Sequence, residues 1–253
     1  MSSNGGARAA GGWFGVAVAL VVSTWIASRA WERVKLQPPD RTIQVTGSAK
    51  RRIVSDQVEW TAQVSTQDLD RTKAYRDLHG HVETTLAYLR GLGLKPSELR
   101  VGSATVEKVL DTEYVGTGEA RVERQILRGY AARQAITVNS GNVPLVERAS
   151  REVTQLLERG VPVSSSAPSY YYTKLGELKI AMLAEASSDA RTRAEQVVTR
   201  AGGAGLGELR GADMGVINVN PANSTSTSWQ GNNDTSSLEK DILTIIHATF
   251  ALR

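Results

Sequence analysis

The stretch AMLAEASSDARTRAEQVVTRAGGAGLGEL, residues 181–209, decides which class of fold the chain adopts. Residues 181–200 are alanine-rich with helical spacing, and glycines follow at 202, 203, 205 and 207. A dinucleotide-binding loop runs strand, glycine turn, helix, because the pyrophosphate rests on a helix N-terminus. Here the order is helix, glycines, strand, and the spacing departs from G-x-G-x-x-G. The cluster therefore reads as a C-cap, where positive φ is needed and glycine supplies it at least cost. Upstream, Leu178, Met182, Ala186, Ala190, Ala194 and Val198 recur every four residues. Such a narrow stripe of small side chains permits close approach to a sheet or a neighbouring helix. Core packing is the expected use. A subunit interface is the alternative, since Asp189, Arg191, Arg193 and Glu195 supply a charged outer surface.

Outward from that helix, strand and helix patterns alternate. Val58, Trp60, Ala62 and Val64 alternate with polar residues as in a half-buried strand. Residues 70–90 switch to helical spacing, with Tyr75, Leu78, Val82, Leu86 and Leu89 on one face and Gly91 and Gly93 at the end. Strand patterns occupy 98–110 and 126–139, and the polar segment 111–125 between them reads as a loop or an extended hairpin tip. Asn142 is placed to cap a second helix carrying Val146, Ala149, Val153 and Leu156. An extended stretch follows, VPVSSSAPSYYYT, and strands are expected at 208–219 and 241–252. This order predicts an α+β domain, with helices on one face of a largely antiparallel sheet. A long polar loop, about 218–240, separates the last two strands. It is either a mobile surface loop or an interaction loop anchored by Trp229.

The N-terminus carries a different signal. Residues 11–28, GGWFGVAVALVVSTWIAS, hold no charge. A helix from Trp13 to Trp31 would span roughly 27 Å, close to the hydrocarbon thickness. Trp13, Trp25 and Trp31 are expected to sit as membrane-anchor aromatics, with Arg29 snorkelling outward. A cleaved signal peptide is the rival reading, but its best site, Ser28-Arg29-Ala30, places an arginine in the cleavage motif. The expected organisation is a tail at 1–10, a transmembrane anchor at 11–31, a linker at 32–41 stiffened by Pro38 and Pro39, and a domain at 42–253. Flanking charge leans slightly towards a cytoplasmic C-terminal domain, a bias that long domains override.

The chain has no cysteine, which excludes a disulfide scaffold and thiol catalysis. Its net charge of +4 is spread along the chain and does not suggest nucleic acid. His79 and His81, two apart on a helix, face different ways and do not form an i, i+4 metal pair. His247 has no evident partner in sequence. Ser237 and Lys240 match S-x-x-K but precede a strand, out of context for that motif. No catalytic residue, cofactor or metal ligand is expected. Of Tyr170, Tyr171 and Tyr172, the first and third share a strand face, and the run is expected to divide between packing and a contact surface.

IQVTGSA at 43–49, GYAARQAITV at 129–138, YYYTKLGELKIAMLAEASSDARTRAEQ at 170–196 and NDTSSLEKDILTIIHATFALR at 233–253 occur together in this order. In these pieces the chain resembles the SIMPL-domain family, and specifically its membrane-anchored, periplasmic bacterial subgroup. The resemblance covers roughly residues 41–253. It implies an α+β fold, an exported domain on a single-pass inner-membrane anchor, no catalytic motif, and ring- or channel-like homo-oligomers. The expectation is thus a non-catalytic envelope protein whose partners are its own copies and, through its anchor, the lipid bilayer. Tyr170, Tyr171, Tyr172 and Trp229 are its expected contact residues. The alternative is a monomeric or dimeric module with a pocket for a periplasmic ligand or partner.

Overall fold

A computed structural model of the chain describes residues 18–31, 41–116, 121–203 and 205–253. Helix α1 covers residues 18–31. Among the described residues no helix is long and apolar enough to cross a membrane. Trp13, the linker at 32–40 and most of the expected anchor's first turns lie outside the described residues. Within α1 the Arg29 guanidinium lies 4.3 Å from the centroid of the Trp25 ring.

Among the described residues, ten strands and three further α-helices follow. They are β1 (Thr42–Val54), β2 (Gln57–Asp68), α2 (Arg71–Gly91), β3 (Leu99–Val101), β4 (Thr105–Val115), β5 (Val122–Ser140), α3 (Val143–Glu152), β6 (Val163–Ser165), β7 (Ser169–Tyr171), α4 (Leu175–Arg200), β8 (Leu206–Pro221), β9 (Asn232–Asn233) and β10 (Glu239–Leu252). The fold is α+β, as the alternation of patterns predicted. The single sheet expected from sequence is in fact two. One has four strands in the order β1-β10-β8-β9; the other has six, ordered β3-β5-β2-β6, with β4 beside β5 and β7 beside β2. Sequence alternation reports which face of a strand is buried and is silent on which neighbour it pairs with.

By proximity the chain forms two compact units. The larger holds residues 46–192 and 213–247, and the smaller residues 1–45, 193–212 and 248–253. In the larger unit, β2 and β5 pair antiparallel from Val58↔Ser140 to Asp68↔Tyr130. Val58, Trp60, Ala62 and Val64 meet Ala132, Ile136 and Val138 on one buried face. Helix α2 covers it with Ala74, Leu78, Val82, Leu86 and Leu89. Tyr75, expected on that face, is 51% exposed, and its neighbour Ala74 takes the buried place. The stripe keeps Leu78, Val82, Leu86 and Leu89 and differs only at its first position. Asp70 caps α2 through the amides of Thr72 and Lys73. Asn142 caps α3 through the amide of Leu145, as expected. Val146, Ala149, Val153 and Leu156 complete the core.

The small-residue stripe of α4 is a packing device. Built on Gly47 of β1, a Cβ would lie 2.2 Å from the Ala186 carbonyl oxygen and 2.6 Å from Ala190 Cβ. Strand and helix backbones approach so closely that neither side has room for a larger group. The Ser48 amide donates to Asp189 Oδ2 at 2.7 Å, and Arg51 pairs with Glu185, so polar contacts hold the same seam.

In the smaller unit, α4 ends as the glycines predicted: the Gly202 amide donates to the Thr199 carbonyl, that of Gly203 to Val198, and Gly202 has φ 75°. The Leu252 amide bonds to the Arg41 carbonyl and that of Arg253 to Gly205.

Candidate functional site

Three features of the larger unit gather the residues singled out in sequence. The polar loop between β8 and β10 is laced with hydrogen bonds from β8. Asn218 and Asn220, two apart and both buried, point from one face of β8 into the loop. Asn218 Oδ1 accepts from the Ser228 amide at 2.9 Å. Asn220 Nδ2 donates to the Ser226 carbonyl at 2.6 Å, and its Oδ1 accepts from Asn232 Nδ2 at 2.7 Å. Within the loop, β9 adds to β8 in parallel, pairing Asn218↔Asn232 and Val219↔Asn233. These amides mimic a missing strand, each supplying donors and acceptors that the backbone uses.

Trp229 is 93% exposed at the crest of this loop. Beside it lies a groove of about 220 Å³ floored by Thr46, Gly215, Asn218, Ile245 and His247. His247 does have a partner there: its Nδ1 lies 3.0 Å from Thr46 Oγ1. Sequence reasoning missed that pair because the residues are far apart in the chain and meet only through pairing of β1 with β10.

The tyrosines occupy a second place. Val219, Leu175 and residues 233–235 join Tyr170, Tyr171, Tyr172 and Lys240 around a pocket of about 80 Å³. Lys240, the lysine of the S-x-x-K match, is 2% exposed. Its Nζ donates to the Asp234 carbonyl oxygen at 2.6 Å and to Asp234 Oδ2 at 3.3 Å. Burial pushes the Asp234 carboxyl up, but hydrogen bonds from Ser236, Ser237 and Lys240 outweigh it and hold the group at about 2. Ser237 thus serves Asp234 through its backbone amide. Tyr170 donates its hydroxyl to Glu147 Oε1 at 2.8 Å, and burial together with that carboxylate pushes the phenol up to about 12. The Tyr170 amide donates to the Thr235 carbonyl at 2.7 Å, tying β7 to the loop. Tyr170 therefore packs while Tyr171 is 41% exposed. Trp229 and the tyrosines line separate pockets.

A third feature is the hairpin arm. Of the two readings of 111–125, the extended hairpin holds for its described residues: β4 and β5 stay paired from Thr105↔Arg133 out to Val115↔Val122, with an irregularity between Val109 and Leu110. Opposite it stands Gly129, at φ 134°, where a Cβ would lie 2.6 Å from the Asp68 carbonyl oxygen. Farther out, the Arg121 guanidinium lies 4.2 Å from the centroid of the Tyr114 ring. Leu110↔Leu127, Thr112↔Gln125 and Tyr114↔Glu123 share one face. Leu110, Tyr114 and Leu127 are all exposed on it. The other face is mixed: Arg128 bonds to Asp111 at 2.9 Å and Glu113 stands opposite Arg124, while Val115 and Val122, paired at its end, are exposed.

Among the described residues no cluster of three or more His, Asp or Glu side chains could hold a metal ion. His79 and His81 stay on α2, remote from these features in sequence and without a common face. The chain belongs to the SIMPL family, a protein family of unknown function (DUF541), whose model matches residues 43–241. No curated protein matches the chain significantly. The matched span takes in the Gly47 seam, the arm, the tyrosine pocket and the Trp229 loop, and a family of unknown function brings no catalytic residue to carry over.

Proposed function

We propose that this is a non-catalytic, single-pass inner-membrane protein whose C-terminal domain lies in the periplasm and assembles into a ring- or cage-like homo-oligomer for envelope organisation. The observation that carries the reading is the arm. A lone two-stranded ribbon is marginal in water, yet this one extends a face of Leu110, Leu127 and Tyr114 into solvent. Docked against a second copy, that face loses the apolar exposure that otherwise opposes its order. Trp229, exposed on the loop, and Tyr171 on the pocket rim supply further apolar contact area. If the arm of one copy meets a different patch on the next, the contacts are head-to-tail and close into a ring. The charge-free run at 11–28 supports the membrane tether, with Trp13, Trp25 and Trp31 as its aromatic anchors.

The test is light scattering on the full-length protein in detergent, beside Leu110→Glu/Leu127→Glu and beside residues 40–253. A large uniform mass that falls to one chain, 27.3 kDa plus micelle, in the double variant is the expected result. A monomeric wild type would sink the reading.

A further inference from the structure

Lys240 is the one feature of the tyrosine pocket that core packing does not explain. A lysine at 2% exposure is costly unless its ammonium is satisfied. An ammonium has three donors, and both acceptors bonded to this one belong to Asp234. The third N–H belongs to a side chain that lines the pocket together with the tyrosines. The walls offered by Tyr171, Tyr172, Leu175 and Val219 are aromatic or aliphatic. A site built this way offers a buried donor beside apolar surface, in a volume of about 80 Å³. At about 30 Å³ for a water molecule's share of the liquid, such a space takes about three heavy atoms, the size of an acetyl group.

The sign of the ligand follows from Asp234. Its carboxylate shares the pocket and the lysine, so the positive charge is already neutralised. A second carboxylate at Lys240 would be held beside Asp234, and like charges in one small site repel. A cation would meet the lysine. A neutral carbonyl accepts the free N–H without either cost. We propose that the Tyr170–Tyr172/Lys240 pocket recognises a neutral acetamido group, its carbonyl oxygen accepting from Lys240 Nζ and its methyl packing on the tyrosine rings. The class of ligand is therefore an N-acetylated amine, such as an acetamido sugar.

Saturation-transfer NMR on the full-length protein in detergent tests this with N-acetylglucosamine as the probe. The acetyl methyl should carry the strongest transfer, with none above background on glucosamine or on acetate. Lys240→Met removes the donor and should abolish the signal. Because that change leaves Asp234 unpaired and threatens folding, Tyr172→Ala is the second variant. It removes one wall, breaks no hydrogen bond among those seen, and should cut the signal at least five-fold. Equal transfer to acetate would show an anion site, and unchanged transfer in Tyr172→Ala would place the sugar elsewhere. No transfer to N-acetylglucosamine would leave the pocket a water site. Each of these three results overturns the proposal.

Discussion

Gly47 shows how one residue sets the distance between a strand and a helix. With the Ala186 carbonyl 2.2 Å and the Ala190 Cβ 2.6 Å from any Cβ placed there, Gly47→Ala forces β1 and α4 apart. Overpacking of this kind costs about 3 kcal/mol. Urea denaturation of Gly47→Ala should show that loss, and Ala190→Gly in the same chain should recover part of it. Full recovery of neither stability nor expression would point to backbone crowding at Ala186 as the dominant clash. The reverse opportunity lies at Thr244. Its hydroxyl is buried without a hydrogen-bond partner, on the β10 face that also carries Ile242 and Ile246. Thr244→Val removes the unsatisfied group at nearly constant shape and should raise stability by about 1 kcal/mol. A lower melting temperature would mean that the hydroxyl is satisfied in solution. At this scale the sequence was legible in part: the four-residue stripe on α4 announced a close approach, but Gly47, the residue it approaches, lies far upstream and carried no signal of its own.

Among the elements, the junction of β10 with its loop concentrates the electrostatics. Arg52 bonds both oxygens of Asp241, at 2.9 and 3.1 Å, and the Asn223 amide adds a bond at 2.8 Å. Lys50 approaches at 3.1 Å. Hydrogen bonding from Arg52, then from Asn223, outweighs burial and holds the Asp241 carboxyl far below the ordinary carboxylate range. Asp234, at about 2, shares that direction. An unfolded aspartate titrates near about 3.9. The stability these groups supply is therefore complete above pH ~4 and is lost as pH falls from there through their folded-state values. Acid denaturation curves should steepen below pH ~4, and Asp241→Asn should flatten them while costing about 2 kcal/mol at neutral pH. An unchanged acid limb in Asp241→Asn would remove Asp241 from the account. The loop itself depends on two amides. Asn220→Ala deletes the bonds to Ser226 and Asn232, and limited proteolysis between residues 222 and 236 should accelerate about ten-fold or more, since each lost bond costs about 1 kcal/mol of local order. Unaltered cleavage would show that β9 pairing alone holds the loop. The sequence reading ended the strand at 219 and put Asn220 in the loop, so the pair's role in holding the loop was not legible there.

At the scale of the whole molecule, the expected topology is open to a direct test because the chain contains no cysteine. Leu69, 77% exposed between β2 and α2, accepts a unique thiol without disturbing the core. In spheroplasts, Leu69→Cys should react with a membrane-impermeant maleimide and Ser3→Cys should not. The opposite pattern places the domain in the cytoplasm, and labelling of both would deny the anchor. The smaller unit draws residues from three separated parts of the chain, and so has no counterpart in any continuous segment.

The sequence by itself determined the α+β class, most helix and strand positions, the cap at Asn142 and the glycine stop after α4. These follow from local propensity and periodicity, which need no knowledge of distant residues. Only the tertiary structure decided that there are two sheets, that Gly47 meets Ala186 and Ala190, that His247 finds Thr46, and that Lys240 lies buried beside the tyrosine pocket. Each of these joins residues remote in the chain, and strand pairing and backbone approach are properties of the folded neighbourhood that no local pattern encodes.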